Sequence, residues 1–156
     1  MYDDSYLHYE DFEPGRVFDL APVTVTAGEI IEFASQFDPQ PMHLSEEAGK
    51  ASILGGLAAS GWHTCALLHR MLCDAIISRA ASEGGPGIEY ADWKRPVLAG
   101  DTLSGTCTVA DRRLSASRPA IGILTIEAEL TNQRGEIVCR TRQPAMMRLR
   151  RVEKAQ

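Results

Sequence analysis

A long apolar stretch, from residue 57 to about residue 81, constrains most strongly what this chain can fold into. Apolar side chains fall on nearly every face of a helix drawn through it: Leu57, Ala58, Ala59, Trp62, Cys65, Ala66, Leu68, Leu72, Ala75 and Ile76. A helix that is apolar on most faces belongs in a core rather than on a surface. The pattern predicts one central buried helix, which the segment Gly84-Gly85-Pro86-Gly87 ends.

Beyond this segment the apolar residues recur at every second position, which is typical of half-buried strands. The alternation predicts four strands in succession, at about Ile88 to Val97, Asp101 to Val109, Leu124 to Leu130 and Ile137 to Leu149. In the third of them, Leu124, Ile126, Ala128 and Leu130 are expected to face the core. The loop from Asn132 to Gly135 has the composition of a hairpin, with glycine at the left-handed position.

Ahead of the central helix, residues Val17 to Thr26 predict a first strand. Thr26 and Glu29 then have the spacing of a capping box, in which each side chain accepts a hydrogen bond from the other residue's amide. The helix that follows is expected to end at Asp38, because the residue before a proline is pushed out of the helical region. Ser45 is placed to cap a second, short helix.

This order of elements predicts an α+β fold, with an antiparallel sheet curled around one central helix. A chain of 156 residues is expected to form a single domain. Such a sheet leaves its edges uncovered, so a homodimer, or a larger assembly built from dimers, is expected.

Charge and composition exclude several classes of function. The formal net charge is −5 and the isoelectric point is near 5.4, so no overall positive field attracts nucleic acid or anionic lipid. The acidic N-terminus lacks the order of a signal peptide, and no apolar run approaches the ~20 residues that cross a bilayer. We expect a cytoplasmic protein that binds neither nucleic acid nor membrane.

The four cysteines, Cys65, Cys73, Cys107 and Cys139, form no CxxC pair. Cys65 and Cys73 lie eight residues apart on the predicted helix, about 12 Å at the helical rise, which is too far for a disulfide. They are expected to be buried thiols in a reducing compartment, and no metal site is expected. The closing basic run of Arg148, Arg150, Arg151 and Lys154 is interpreted as a solvated tail or strand end, with a patch for an anionic group such as a nucleotide phosphate as the alternative.

One loop carries residues suited to chemistry. Asp38 and His43 lie five residues apart with Pro39 and Pro41 between them, and each proline fixes its own φ, so the loop has few conformations. A carboxylate beside an imidazole suits general acid–base catalysis near neutral pH. The alternative is a plain turn after a helix, in which His43 only precedes the next cap.

Two glycine-containing pairs follow, Gly55-Gly56 and Ser60-Gly61. Free amides at the start of a buried helix can stabilise an oxyanion, although glycine there also permits close helix–sheet packing. His8, His63 and His69 receive no role. No GxGxxG, Walker, HExxH or GxSxG motif occurs, and no cofactor is expected.

Together these residues resemble the MaoC-like dehydratase family, the (R)-specific enoyl-CoA hydratases of hotdog fold. The family signature is Asp, one residue, Asn-Pro, an aliphatic residue and His, and this chain has Asp38-Pro-Gln-Pro-Met-His43. The segment Gly56-Leu-Ala-Ala-Ser-Gly61 stands where the family enters its central helix. The segment from Trp93 to Leu103, with Pro96-Val and Gly100-Asp101, resembles the family's next strand and turn. The resemblance covers about residues 10 to 150.

The resemblance implies a hydro-lyase that hydrates a 2-enoyl-CoA, or dehydrates an (R)-3-hydroxyacyl thioester of coenzyme A or acyl carrier protein. Asp38 and His43 are then the catalytic pair that activates a water, and the Gly61 amide donates to the thioester carbonyl oxygen. Gly56, Ser60 and Trp62 are the expected substrate-binding positions. The alternatives are an acyl-CoA thioesterase of the hotdog superfamily and a non-catalytic acyl-thioester-binding subunit.

The chain departs from the family pattern at two positions near this site. Gln40 replaces the usual Asn, and Ser60 stands where many members have His before the glycine. Both departures leave the Asp38 and His43 pair in place, but they put the identity of the substrate in question.

Overall fold

The structure, a computed structural model, describes residues 2–151. Three α-helices and five strands follow one another along the chain: β1 (Val17–Thr24), α1 (Ala27–Phe37), α2 (Glu46–Ala51), α3 (Gly61–Ala75), β2 (Tyr90–Trp93), β3 (Thr102–Leu114), β4 (Ile121–Thr131) and β5 (Ile137–Arg148). Short 3₁₀ turns add three further elements, at Tyr9–Asp11, Pro41–His43 and Ile77–Arg79.

The five strands form one antiparallel sheet in the order β1-β3-β4-β5-β2. Its inner face packs on α3 through a single apolar cluster, to which α3 contributes Leu68, Met71 and Leu72. A sheet wrapped in this way around a central helix is the hotdog fold, as the sequence predicted.

The inner face of the sheet follows the predicted alternation. Leu124, Ile126, Ala128 and Leu130 of β4 are all buried, while the residues between them are partly exposed. Each buried aliphatic side chain stabilises the fold by about 1.5–3 kcal/mol relative to an exposed one. The strands are therefore held in register by the face that they bury.

Both predicted helix caps are confirmed. The Thr26 hydroxyl accepts from the Glu29 amide at 3.2 Å, and the Glu29 carboxylate accepts from the Thr26 amide at 2.9 Å. The Ser45 hydroxyl accepts from the Ala48 amide at 3.1 Å and so caps α2. Gly135 has a φ of +74° in the β4–β5 hairpin, which is the left-handed conformation that its position in the loop predicted.

The central helix is shorter than predicted. It ends at Ala75 rather than near residue 81, and a 3₁₀ turn at Ile77–Arg79 follows it. It begins at Gly61 rather than Leu57, because residues 57–60 run extended beside residues 97–99. The Ala59 amide donates to the Val97 carbonyl at 2.8 Å, and the Ala99 amide donates to the Leu57 carbonyl at 3.0 Å. A short apolar run is compatible with a buried strand as well as a buried helix, so its pattern alone does not separate the two.

The strand bounds also differ from the expectation. β2 covers only Tyr90–Trp93 rather than residues 88 to 97, whereas β3 continues past Val109 to Leu114. β3 accommodates this length through a register irregularity between Val109 and Asp111. The resulting sheet has β1 at one edge and the short β2 at the other.

Candidate active site

The loop from Asp38 to His43 is built as the two prolines dictate. Asp38 ends α1 with φ −155°, ψ 68°, and its amide still donates to the Ala34 carbonyl. Pro41 then opens the 3₁₀ turn that ends at His43, whose amide donates to the Gln40 carbonyl at 3.0 Å. The turn brings the imidazole back towards the carboxylate that precedes it. The side chain of His43 is 8% exposed and that of Asp38 is 18% exposed.

The contacts of His43 fix its neutral tautomer. Its Nδ1 lies 2.6 Å from the Ala58 carbonyl oxygen, and a carbonyl oxygen can only accept, so Nδ1 carries the proton. The other nitrogen, Nε2, lies 3.5 Å from Asp38 Oδ2. In the neutral imidazole, Nε2 is therefore a hydrogen-bond acceptor that faces the carboxylate.

Two neutral donors hold Asp38. The Ser60 hydroxyl donates to Oδ2 at 2.6 Å, and the Gln40 amide nitrogen donates to Oδ1 at 2.7 Å. These bonds, that of Ser60 most of all, lower the pKa of the Asp38 carboxyl, and burial opposes them. Asp38 is thus held as an ionised acceptor beside Nε2.

Gly61 is the first residue of α3, where the backbone N–H has no partner within the helix. The indole of Trp93 covers it, because a β-carbon built at Gly61 would lie 2.4 Å from Trp93 Cε2. Trp93 is held there by its indole N–H, which donates to Cys65 Sγ at 3.4 Å. Glycine is therefore required at this position by the close approach of an aromatic ring.

A cavity of about 310 Å³ joins these groups. Its walls include both members of the loop pair, the start of α3 and both tryptophans, and the lining residues are Asp38, Gln40, His43, Leu54, Ala58, Ala59, Gly61, Trp62, Thr64, Trp93, Arg95, Pro96 and Val138. The rings of Trp62 and Trp93 meet edge to face with centroids 5.4 Å apart, and the two residues are 62% and 47% exposed. The cavity thus has acid–base groups and a helix N-terminus on its walls and aromatic rings at an exposed side.

The structure brings together most, but not all, of the residues that the sequence singled out. Asp38, His43, Gly61 and Trp62 line the cavity, whereas Ser60 is fully buried behind Asp38. Gly56 does not line it. Its carbonyl oxygen packs on α2, where a β-carbon at Gly49 would come within 2.1 Å of that oxygen.

Sequence reasoning missed the contribution of two residues. Trp93 was assigned only to a strand, although its ring covers Gly61, and Gln40 was noted only as a departure, although its amide binds Asp38. For Gln40 a signal was available, because a polar side chain two positions after Asp38 is close enough in the chain to bind that carboxylate. For Trp93 no local signal exists, because its contact with Gly61 joins the end of β2 to the start of α3, 32 positions apart in the chain.

The remaining histidines lie apart from the cavity. His63 is buried on α3 and stacks on Phe33 with centroids 4.7 Å apart and planes 8° apart. Burial lowers the pKa of His63, and Glu29 partly opposes this effect. His8 is buried near the N-terminus, and His69 is exposed on α3.

Two arginines of the basic run near the C-terminus are paired with acids. Arg148 pairs with Glu83, and Arg150 pairs with Asp11 and Asp4. These pairs oppose the alternative of a patch for an anionic group. Lys154 lies outside the described residues.

The four thiols are free, with Cys107 and Cys139 buried and Cys65 and Cys73 half-buried. Within residues 2–151, no helix combines the length and the apolar character needed to cross a membrane.

A family model described as MaoC like domain matches residues 11–129 of this chain. The chain belongs to the MaoC-like family. The crystal structure of a MaoC-like dehydratase from Rhodospirillum rubrum is 41% identical, with a TM-score of 0.85, over 93% of this chain and 99% of that one.

Two further relatives are less similar in sequence. The uncharacterized protein YdeM of Bacillus subtilis is 29% identical over 125 residues, which are 80% of this chain and 87% of YdeM. The R-hydratase PhaJ1 of Pseudomonas aeruginosa matches 97% of this chain and 93% of its own, with a TM-score of 0.74 and 19% identity. At that identity the likeness to PhaJ1 establishes the shared fold.

Proposed function

We propose that this MaoC-like protein is a hydro-lyase that reversibly adds water to a 2-enoyl thioester, giving the (R)-3-hydroxyacyl product. The observation that carries the proposal is the Asp38–His43 pair, 3.5 Å apart, on the wall of the same cavity as the Gly61 amide. The dehydratase from Rhodospirillum rubrum, 41% identical over nearly its whole length, supports the same class of reaction.

The pair is suited to holding a nucleophilic water. Nε2 of neutral His43 and Oδ2 of Asp38 are both acceptors, so one water can donate a hydrogen to each. Such a water keeps its lone pairs for attack on C3 of the substrate. Positioned acid–base groups of this kind contribute about 10²- to 10⁴-fold in rate.

The Gly61 amide serves the other end of the conjugated system. As the water oxygen bonds to C3, the electrons of the C2=C3 bond move towards the thioester carbonyl oxygen, which gains negative charge. A free N–H at a helix N-terminus stabilises that charge both as a donor and through the helix dipole. Protonation at C2 then completes the addition of one water, with no redox change and no cofactor.

The test is the loss of the enoyl absorbance of crotonyl-CoA, followed by a panel of longer and branched enoyl thioesters. We expect hydration with at least one of them and a chiral product of the (R) configuration. Release of free thiol without hydration would support the thioesterase alternative, and calorimetric binding without product would support an acyl-thioester-binding subunit. Either result rejects the hydro-lyase.

We also propose that the protein works as a homodimer formed along β2. This strand is an edge of the sheet, and Ile88, Tyr90 and Trp93 on or beside it are exposed. Unpaired edges with apolar side chains favour pairing with a second copy. The exposed tryptophans of the cavity lie beside the same edge, so a partner would cover the open side of the site.

We further propose a cytoplasmic location, because the reducing conditions there would keep the four thiols free.

We expect light scattering to give twice the chain mass of 17.1 kDa. The double variant Ile88→Lys with Tyr90→Lys is expected to give the single mass, because like charges would then face each other across the edge. Val17→Lys is the matched control, since Val17 is an exposed apolar residue on β1, the opposite edge of the sheet, and this variant should remain dimeric. A monomeric wild-type protein would disprove this assembly.

A further inference from the structure

We infer that Ser60 and Gln40 are positioning residues that clamp the Asp38 carboxylate, one donor on each oxygen, in a fixed orientation beside His43. The inference rests on the proposed function, because it concerns the same catalytic pair. It also makes a claim about Asp38 that is measurable without any substrate.

The clamp follows from the geometry of the two bonds. A carboxylate bound through one oxygen can still turn about its Cβ–Cγ bond, but bonds of 2.6 Å and 2.7 Å on opposite oxygens remove that freedom. Ser60 is fully buried, so water does not compete for its hydroxyl, whereas Gln40 is exposed. We therefore expect Ser60 to be the stronger of the two donors.

The backbone position of Ser60 gives independent support. Ser60 is the N-cap residue of α3, where a serine hydroxyl normally accepts from an amide of the first turn. At this helix the hydroxyl caps no amide. Its hydrogen is given instead to Asp38, 22 positions earlier in the chain. The local stabilisation that a capping hydroxyl gives is thus forgone in favour of the contact with the carboxylate.

Both departures from the family signature therefore meet on one side chain. The residue that replaces Asn and the residue that replaces His each donate to Asp38, and both donors are neutral. A carboxylate held by neutral donors remains an anion and an acceptor. Because its pKa is lowered, this carboxylate is a weak base and the poorer acceptor for the proton of the attacking water.

This assigns proton delivery to His43. Its Nε2 takes a proton from the attacking water as the oxygen bonds to C3, and the imidazolium then gives that proton to C2. Asp38 orients the water and stabilises the imidazolium between the two steps. The net change is the addition of one water, and both protein groups end in their starting states.

The decisive experiment titrates the Asp38 carboxyl carbon by NMR in the full-length protein, with the signal assigned by its loss in Asp38→Asn. We expect the wild-type pKa to lie below the ordinary value of about 3.9. Ser60→Ala should raise it towards that value, and Gln40→Leu should raise it by less. Gln133→Leu is the matched control, because it removes an equivalent amide bond, of 2.9 Å to Asp101, at a remote turn and should leave Asp38 unchanged.

Kinetics provide a second readout. Ser60→Ala is expected to lower kcat by about 10- to 100-fold with KM changed by less than about 3-fold, because a misoriented group affects the chemical step more than binding. Gln40→Asn, which keeps an amide donor, should retain more activity than Gln40→Leu.

Stability against pH adds a third readout. A carboxyl whose pKa is lowered by folding stabilises the fold above its ordinary pKa, and this contribution is lost as pH falls through the lowered value. The stability difference between wild type and Ser60→Ala should therefore shrink in acid.

An unchanged Asp38 pKa in both Ser60→Ala and Gln40→Leu overturns the clamp, whatever the activity. Gln40 is exposed, so its variant is expected to fold even where the Ser60 variant does not. If the pKa moves as expected but no enoyl thioester turns over, the clamp stands and the proposed function fails.

Discussion

Replacing His43 with alanine is expected to reduce the hydration rate by about 10²- to 10⁴-fold, the usual contribution of a positioned general acid–base group. The imidazole is the group that faces both Asp38 and the cavity, and it is held by the Ala58 carbonyl on its far side. Under the proposed function, its loss removes the acceptor for the proton of the attacking water. Steady-state kinetics with the best thioester of the panel measures the effect.

The fold of this variant has to be checked separately. Removing the ring leaves the Ala58 carbonyl without this buried donor, which costs about 1–3 kcal/mol, so unfolding in urea should show a modest loss of stability. The space left by the ring should admit free imidazole, and added imidazole is expected to restore part of the rate. His69→Ala removes an exposed imidazole from α3 and serves as the control. A His43→Ala enzyme within about 3-fold of the wild-type rate would exclude His43 from the chemical step.

The course of the loop from Asp38 to His43 could be predicted from the sequence, because the two prolines within it restrict its backbone. Pro39 disfavours helical backbone at Asp38, and Pro41 opens the turn that carries His43, so the six residues from Asp38 to His43 set the path of the backbone between the pair. The capping box at Thr26 is local in the same sense. Both could be predicted because each depends on contacts within a few positions of the chain.

The surroundings of the pair could not be predicted, since they come from distant segments. Ser60 reaches Asp38 only because residues 57–60 run extended beside residues 97–99, where the apolar pattern predicted helix. Trp93 covers Gly61 only because β2 pairs with β5 at the edge next to the start of α3. Sequence periodicity reports which side chains are buried but not which of them meet.

The fold itself was predictable because the strand alternation and the apolar helical stretch both indicate the same buried face. Alternation in β3, β4 and β5 predicted an inner face that the structure buries, and the apolar stretch predicted a helix that packs against that face. The lengths of β2 and α3 were not predictable, since edge pairing and a change from extended to helical backbone at Ser60 set them. The apolar pattern placed the start of the helix at Leu57, whereas the site depends on the actual start, where Ser60 binds Asp38 and Gly61 lines the cavity.

Replacing Gly61 with alanine is expected to lower the hydration rate by about 10²- to 10³-fold, the loss that follows when an oxyanion donor is removed or obstructed. The added methyl would lie 2.4 Å from the Trp93 ring, so the ring has to move and give up its bond to Cys65. Under the proposed function, a displaced ring would also crowd the approach of the thioester carbonyl to the Gly61 amide. Kinetics with wild type and variant under the same conditions measures the loss.

A matched glycine separates this effect from a change in helix propensity. Gly28 lies in the first turn of α1, and a β-carbon there meets nothing within 4 Å, so Gly28→Ala should stabilise the protein slightly and leave the rate unchanged. Trp93→Ala should restore part of the rate in the Gly61→Ala background, because the obstructing contact is removed from its other side. In a double-mutant cycle, the effects of the two changes on the activation free energy of hydration should then be coupled by more than about 0.5 kcal/mol. Additive effects would show that the contact with Trp93 is not the cause of the loss. A Gly61→Ala enzyme as active as Gly28→Ala would show that the thioester carbonyl is bound elsewhere than at the start of α3.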